Sequence, residues 1–323
     1  MHHLDAHRLA DGGWVAAVDG HGWRGLPRIR RAASTPTRRP ATDDRAATRP
    51  RIAVLATSHD RREVTLASLA ALHDQEVDAD LDVVLVDAGS SDGTAAAVRE
   101  RFPSAHVDEA GPELYWNAGM RRAWELARQR DPVPDAYLWL NDDTILDRDA
   151  VARLLAVWRD AGEAIVAGAT RDPDTGALTY GGVRREHAGR PLRFSRVEPG
   201  DAPVEVETIN GNCVLVPATV AERVGNLDAR FTHGMGDFDY GLRARCRGVT
   251  VLLAPGTVGT CAANPPSVRD AAAELRHLRS PKGLPPREWR AFARRWAGPL
   301  WPVYFVSPYL RRLGAALRHG GGS

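Results

Sequence analysis

Apolar runs typical of buried strands alternate with helical patterns along the middle of this chain. The runs occupy residues 52–57, 81–86, 137–140, 164–169 and 249–253. Each is short, continuous and flanked by turn residues, as expected for strands covered on both faces. Helical periodicity follows the first two runs, at 60–74 and 94–101. The order strand, helix, strand, helix predicts a parallel, right-handed α/β unit.

Polar residues follow three of the predicted strands. They are Thr57, then Asp87, then Asn141, Asp142 and Asp143. In open α/β sheets, ligands bind at the carboxyl ends of the strands. Two adjacent carboxylates at that edge could hold a divalent ion and, through it, a diphosphate. A plain helix-capping turn is the structural alternative for residues 141–144.

A second polar group lies at residues 231–245, where Asp237 stands at the glycine-flanked start of a predicted helix. Positions two apart lie ~200° around a helix, so Asp237 and Asp239 cannot both face one cleft. Arg243, four residues after Asp239, is the natural ion-pair partner of Asp239. Asp237 has no such partner and is the better candidate for a general base, with helix capping as its structural alternative.

Length and composition limit the classes of protein to consider. The 323 residues, 43% of them hydrophobic, suffice for one large α/β domain with extensions. The three cysteines have no CxxC spacing, which argues against a disulfide framework or a zinc site. Neither a signal region nor a membrane-spanning run is found, so a cytoplasmic location is expected.

Charge is distributed unevenly. Residues 1–50 carry nine Arg against five Asp, and residues 276–323 carry ten Lys or Arg against one Glu. The remaining middle has a net charge of −11, which disfavours nucleic acid as a partner. Residues 1–48 lack periodicity and are predicted to be a disordered basic leader. Residues 269–323 are predicted to form a basic, aromatic, helical extension to a domain at 49–268.

The extension contains an amphipathic helix at 287–297. Its apolar face is formed by Trp289, Phe292, Ala293 and Trp296. A Trp-rich face flanked by Arg suits a helix in a membrane interface, and residues 287–312 would then meet an anionic membrane surface. The same face could equally pack on the chain's own domain or on a second subunit in a homodimer. We therefore expect a cytoplasmic protein with a peripheral position on the inner membrane face as one option.

The turns after the strands do not match two common nucleotide-binding loop motifs. The first turn has no glycine, which excludes the GxGxxG pattern, and GxxxxGK[ST] is absent. However, Thr57, the turn 86–94 and Leu140-Asn141-Asp142-Asp143, in this order, resemble family 2 inverting glycosyltransferases of the GT-A fold, including rhamnosyltransferase-like members. The resemblance covers residues 51–264 and implies an α/β fold with a Rossmann-like, mostly parallel sheet and flanking helices.

The resemblance implies transfer of a sugar from a nucleotide-diphosphate-sugar to an acceptor hydroxyl, assisted by Mg²⁺ or Mn²⁺. Donor contacts would come from Thr57, Asp87, Asn117, Asn141 and Asp142, the metal would be held by Asp143, and Asp237 would be the base. The acceptor side would include Asn210, Gly211, Asn212, His233 and Asp239. The acceptor would be a glycan, a lipid-linked molecule or a small molecule, as in cell envelope polysaccharide biosynthesis.

Three positions depart from the family's pattern. Ala88 replaces a usual Asn or Asp, Gly236 replaces the Glu before the base, and no His stands near Thr260 or Cys261. These departures leave two alternatives open. A nucleotidyltransferase shares metal carboxylates on an α/β sheet, but would need a Gly-rich basic loop after the first strand. A non-catalytic, membrane-associated scaffold could keep the fold without turnover.

Overall fold

The computed structural model describes residues 6–8, 14–16, 49–187, 189–263 and 271–320. The strands are β1 (Ala6–Arg8), β2 (Trp14–Ala16), β3 (Arg51–Ser58), β4 (Asp80–Asp87), β5 (His106–Glu109), β6 (Ala136–Leu140), β7 (Ile145–Leu146), β8 (Ala164–Arg171), β9 (Leu178–Tyr180), β10 (Gly182–Arg185), β11 (Phe194–Arg196), β12 (Val204–Glu205), β13 (Thr208–Ile209), β14 (Cys213–Pro217) and β15 (Thr250–Thr260). The helices are α1 (Arg62–His73), α2 (Thr94–Arg101), α3 (Trp116–Ala127), α4 (Ala150–Ala161), α5 (Ala218–Val224), α6 (Gly236–Cys246), α7 (Ala271–Arg279), α8 (Pro286–Trp296) and α9 (Trp301–Gly320).

The central sheet has the strand order β12-β15-β8-β14-β6-β3-β4-β5. Strands β6, β3, β4 and β5 are parallel neighbours, and β15 is parallel to β8. Antiparallel β14 lies between β6 and β8. The predicted α/β class with a mostly parallel sheet and flanking helices is therefore confirmed. A smaller antiparallel sheet, β11-β10-β13, is formed within residues 182–209.

Side chains alternate between two cores on opposite faces of the sheet. On β3, Ala53 and Leu55 point into the core that contains α3 and α6, whereas Ile52 and Val54 point into the core that contains α1, α2 and α4. Because both faces are covered, the strands consist of continuous apolar runs rather than of an alternating pattern. This explains why these strands could be predicted from the sequence.

The apolar face of α8 packs on the chain's own domain. Trp289, Phe292 and Trp296 form a third core with Phe231 and Leu242, which lie before and within α6. Of the three alternatives for this face, the structure contains the intramolecular one. The Trp-rich face of α8 is therefore covered, which corrects the expectation that this face itself would meet a membrane.

Several element boundaries differ from the prediction. Asp60 and Glu63 have the spacing of a capping box, but α1 begins at Arg62 without a side-chain cap. The Asp60 carboxylate instead accepts hydrogen bonds from the backbone N–H and the hydroxyl of Ser91. Strand β15 continues past Leu253 to Thr260 through two register shifts.

The predicted disordered leader falls mainly outside the described residues. Within it, only the β1 and β2 segments are described, and they pair antiparallel. The leader and the boundary at residue 268 therefore stay predictions. None of the helices in the described ranges is long and apolar enough to cross a membrane.

Candidate functional site

The predicted polar residues gather where β3, β4 and β6 end. Parallel pairing sets Thr57 beside Val86 and Ser58 beside Asp87, so that the two turns are neighbours. The Thr57 hydroxyl is nearly buried and donates a hydrogen bond to the Val86 carbonyl at 3.0 Å. Gly119 of α3 lies directly over it, since a Cβ at residue 119 would come within 2.3 Å of Thr57 Oγ1. Helix α3 therefore closes over the end of β3.

Asp87 presents a carboxylate that its own turn satisfies only in part. One oxygen accepts a hydrogen bond from the Ser90 backbone N–H at 2.7 Å. The other oxygen is buried and has no hydrogen-bond partner among the described residues. Because a buried acceptor without a partner is unfavourable, this atom is suited to receive a donor group from a ligand.

The two aspartates after β6 share one cation, the guanidinium of Arg61. Its Nη1 lies 2.8 Å from Asp142 Oδ1 and 3.1 Å from Asp143 Oδ2. Burial raises the pKa of Asp142 to about 6 against the opposing attraction of Arg61. The site therefore already concentrates hard oxygen atoms around one positive charge, and this donor set fits a divalent metal such as Mg²⁺ or Mn²⁺.

Cys261 lies near the point where the resemblance would place a histidine. Its thiol donates to Asp143 Oδ1 at 3.3 Å and accepts from the Asn212 amide at 3.4 Å. Burial, followed by the nearby Asp143 charge, raises the pKa of Cys261 to about 12. The thiol thus stays protonated and orients the Asp143 carboxylate. Within the described ranges, no cluster of three or more His, Cys, Asp or Glu side chains could hold a metal.

A short series of contacts links Asn141, the residue before the two aspartates, to Asp237. The Trp116 indole N–H donates to Asn141 Oδ1 at 2.6 Å. The Trp116 ring lies against Gly211, where a Cβ would come within 2.3 Å of it. The backbone N–H of Gly211 in turn donates to Asp237 Oδ2 at 3.0 Å. Glycine at 211 is what allows the aromatic ring and the carboxylate to approach each other.

Asp237 lies in the first turn of α6, whose N-cap is Met235. The N-cap residue makes no side-chain cap hydrogen bond, but Asp237 itself binds a backbone N–H of the first helical turn. Asp237 Oδ1 accepts from the Phe238 N–H at 2.8 Å. Burial raises the pKa of Asp237 to about 6, and the hydrogen bonds from Phe238 and Gly211 partly offset this rise. A carboxylate with such a pKa is ionised at neutral pH yet basic enough to accept a proton.

Packing explains why no glutamate precedes Asp237. A Cβ placed on Gly236 would lie 1.7 Å from Asn117 Oδ1. Asn117 has no exposed surface, and its amide donates to the carbonyls of Phe231 and Asp228. It joins α3 to the loop before α6 and, in this arrangement, has no surface with which to contact a donor.

Asp239 is the centre of a buried ion-pair cluster. Arg243 Nε lies 2.7 Å from Asp239 Oδ2, which confirms the predicted pair. Arg295 Nη1 lies 2.5 Å from Oδ1, and the Trp296 indole also donates to this oxygen. Both oxygens are occupied and the side chain has no exposed surface, so the structure leaves Asp239 no room for the predicted acceptor contact.

The remaining acceptor-side residues lie beside Gly211 in the sequence or in the loop before Asp237. Asn210 precedes Gly211, and its backbone N–H donates to the Gly181 carbonyl. His233 packs edge-on against Tyr115 with ring centroids 6.0 Å apart. Burial, followed by the charge of Lys282, lowers the pKa of His233 to about 4, so its ring is neutral at physiological pH.

Sequence reasoning did not assign roles to Arg61, Trp116 or Cys261. Arg61 follows β3 at the predicted ligand edge, a signal that could have identified it as a partner of the aspartates. The contacts of Trp116 and Cys261 join segments 25 and 118 residues apart, respectively, and no local pattern encodes them.

A comparison of sequences and a comparison of structures each find similar proteins. The chain is 28% identical over 222 residues to the N-acetylglucosaminyl-diphospho-decaprenol L-rhamnosyltransferase of Mycobacterium tuberculosis, in strains CDC 1551 and H37Rv alike. That alignment covers 60% of this chain and 69% of the relative. The fold is similar to that of a mannosyltransferase from Pyrobaculum calidifontis, solved with GDP-Man and Mn²⁺. The TM-score is 0.51 at 18% identity, with 86% of this chain and 76% of the other covered.

The family described as "Glycosyltransferase like family 2" matches residues 50–295, a range that includes the central sheet, both aspartate sites and all but the last residue of α8. Together with the structural similarity, this match supports the GT-A fold and a glycosyltransferase activity, and it disfavours the nucleotidyltransferase and scaffold alternatives. By this match, the chain is an enzyme that belongs to glycosyltransferase family 2.

Proposed function

We propose that this glycosyltransferase moves a sugar from a nucleotide-diphosphate-sugar to an acceptor hydroxyl with inversion at the anomeric carbon. The observation that carries the proposal is the linkage of two carboxylate sites through Trp116. On one side Asp142 and Asp143 share a cation, and on the other Asp237 is a partly buried carboxylate with a raised pKa. One site is suited to a diphosphate with its metal, and the other is suited to accept a proton.

We assign the nucleoside of the donor to the turns after β3 and β4. The buried, unpaired oxygen of Asp87 is an acceptor for a ribose hydroxyl or a base N–H. Thr57 and Asn141 border the same edge, and Asp142 supports the diphosphate corner. The solved mannosyltransferase of similar fold contains GDP-Man, which supports a nucleotide-sugar donor for this fold.

Asp143 would hold a Mg²⁺ or Mn²⁺ ion, with Asp142 beside it. When bound, the metal would act as a Lewis acid that stabilises the charge developing on the departing diphosphate. The same solved structure contains Mn²⁺, and the shared contact of both carboxylates with Arg61 supports a cation site here.

Asp237 would accept the proton of the acceptor hydroxyl as the hydroxyl oxygen attacks the anomeric carbon. The bond from the anomeric carbon to the diphosphate oxygen breaks, and the electron pair leaves with the nucleoside diphosphate. Attack from the face opposite the leaving group inverts the anomeric configuration. Such a base contributes a factor of ~10²–10⁴ to the rate.

The acceptor would approach past the turn of Asn210, Gly211 and Asn212, with His233 nearby. The mycobacterial relative is named for an acceptor in which N-acetylglucosamine is joined through a diphosphate to decaprenol. We therefore propose a lipid-linked glycosyl diphosphate as the acceptor class and rhamnose as the first sugar to test, as part of cell envelope polysaccharide biosynthesis.

A panel of UDP-, dTDP- and GDP-sugars, each with and without Mn²⁺, tests the proposal. Thermal shift identifies the donor, since selective binding raises apparent stability. Release of nucleoside diphosphate in the presence of a polyprenyl-diphosphate glycan then measures transfer. Stabilisation by one nucleotide class together with acceptor-dependent release is the expected result. Failure of every donor to bind or react would contradict the proposal.

We further propose that α9 contacts the anionic inner face of a membrane. Val303, Val306 and Leu310 are 63%, 44% and 67% exposed, and their spacing puts them on one face of the helix. Leu300, just before the helix, is 62% exposed. Two exposed arginines, Arg311 and Arg312, directly follow this row in the sequence. Aliphatic side chains flanked by arginines suit the interface of an anionic bilayer.

Flotation of the full chain with anionic and neutral vesicles tests this contact. A Val303→Glu/Leu310→Glu variant should lose flotation with anionic vesicles, whereas Val133→Glu, at a loop residue that is 61% exposed, should not. Point variants are preferable to truncation, because α8 contributes to the core beside α6. Unchanged flotation of the double variant would exclude this face as the membrane contact. A shift of the double variant from dimer to monomer would instead assign the face to contact with a second copy of the chain.

A further inference from the structure

Glu288 of α8, a helix outside the central sheet, holds the segment before Asp237. Both oxygens of Glu288 bind Thr232: Oε2 accepts the backbone N–H at 2.9 Å, and Oε1 accepts the hydroxyl at 2.8 Å. Thr232 thus has two hydrogen bonds to a side chain 56 positions later in the chain. Such a two-point contact fixes both the position and the orientation of the peptide at residue 232.

The same peptide is held on its other side by the first turn of α3. The Thr232 carbonyl accepts the backbone N–H groups of Asn117 and Ala118 at 3.1 and 3.3 Å. The preceding residue of that turn is Trp116, which contacts both Asn141 and Gly211. Thr232 therefore lies between the donor side of the site and α8, and only four residues separate it from Asp237.

A second contact from α8 fixes the helix that carries Asp237. Arg295 pairs with Asp239 and with Asp228, at 2.5 and 2.9 Å. The Trp296 indole donates to the same Asp239 oxygen as Arg295. Helix α8 therefore holds the loop before α6 through Glu288, and the first turn of α6 through Arg295 and Trp296.

We propose that Glu288 is a positioning residue for the reaction, which through Thr232 holds the 232–236 loop so that Asp237 faces the acceptor. This inference rests on the proposed role of Asp237 as the base. It gives the C-terminal extension a part in catalysis, whereas the sequence predicted this extension only as an addition to the domain at 49–268. Glu288 itself contacts neither the strand ends nor the Asp237 carboxylate among the hydrogen bonds of the described residues.

Glu288→Ala tests this role. Loss of both Thr232 hydrogen bonds should lower kcat for transfer by about 10²-fold, the size of effect expected for a misplaced catalytic group. Donor affinity should change less than about threefold, because the strand-end residues are untouched. Glu288→Gln should recover most of the rate, because its amide can accept from the N–H and donate to the hydroxyl oxygen. Glu100→Ala, at an exposed glutamate of α2, is the matched control and should behave as wild type.

The pH profile separates positioning from general stability. A loosened loop admits water to Asp237, and solvation favours its ionised form. The acidic limb of the kcat profile should therefore move to lower pH in Glu288→Ala and return in Glu288→Gln. If Glu288→Ala does not fold, Thr232→Val removes only the hydroxyl contact and should give a smaller change in the same direction.

Comparison with Asp237→Asn distinguishes the two proposals. If Asp237→Asn loses transfer while Glu288→Ala keeps the wild-type rate and acidic limb, Glu288 has no positioning role and the base proposal stands. If Asp237→Asn transfers at the wild-type rate, the base proposal fails, and the positioning role that rests on it fails too. Loss of transfer in both variants, with rescue by Glu288→Gln, is the expected result.

Discussion

Keeping Asp237 ionised inside the folded protein costs stability, and Asp237→Asn removes that cost. Burial raises the pKa of Asp237 from its ordinary value of 3.8 to about 6. One pH unit corresponds to about 1.4 kcal/mol, so this rise corresponds to a penalty of up to about 3 kcal/mol. Asparagine removes the charge, but its NH2 group cannot accept one of the two backbone N–H groups that the carboxylate binds, so the gain at pH 8 should be about 1 kcal/mol or more below that amount.

The pH dependence of this gain has a definite sign. Below pH 3.8, Asp237 is protonated in both the folded and the unfolded chain, so the carboxyl group imposes no penalty. As the pH rises towards 6, the unfolded chain releases the proton first, and wild type loses stability relative to the variant. The difference in free energy of unfolding should therefore be small at pH 4, grow up to pH 6 and remain constant above it.

Urea unfolding monitored by tryptophan fluorescence at pH 4, 6 and 8 measures this difference. Asp201→Asn, at an exposed carboxylate, is the control and should change the free energy of unfolding by less than about 0.5 kcal/mol. An Asp237→Asn variant whose stability relative to wild type falls between pH 4 and pH 8 would refute the reasoning. A gain of equal size at every pH would refute it as well, because the cause would not be the ionised carboxylate.

Three further substitutions test the surroundings of the site. Arg61→Gln should strengthen Mn²⁺ binding in the absence of nucleotide by roughly tenfold, because a competing cation is removed from between the aspartates. Calorimetry measures the affinity, and Arg62→Gln is the control. Equal Mn²⁺ affinity of Arg61→Gln and wild type would argue against this competition. Asp239→Ala should lower the free energy of unfolding by about 3 kcal/mol, since the half-buried Arg243 and Arg295 both lose a fully buried carboxylate. A loss below about 1 kcal/mol in urea would contradict the ion-pair cluster. Gly236→Glu, which restores the family's residue, should destabilise the chain through its clash with Asn117, and an unchanged melting temperature would disprove that clash.

The sequence was sufficient to predict the parallel sheet and the edge at which the polar residues meet. Strands covered on both faces are continuous apolar runs, and parallel strands bring their carboxyl ends together. Thr57, Asp87 and Asp143 were therefore grouped correctly without any knowledge of contacts. Strand β5 was missed because His106–Glu109 is a short, partly exposed edge strand without an apolar run.

The electrostatic partners were harder to predict because they come from distant segments. Arg61 reaches Asp142 across 81 residues, and Asp239 meets Arg295 across 56. The periodicity of α8 identified its apolar face, but periodicity cannot reveal what covers a face. The Ser91 contact that displaced the expected cap at Asp60 also arises from neighbouring turns in the fold rather than from local spacing.

The transfer rate of Asp237→Asn at pH 8 tests the central claim most directly. The account predicts a fall in kcat of at least about 10²-fold, with the donor bound as tightly as by wild type, because only the proton acceptor is lost. Transfer by Asp237→Asn at the wild-type rate would contradict the claim that this carboxylate is the base.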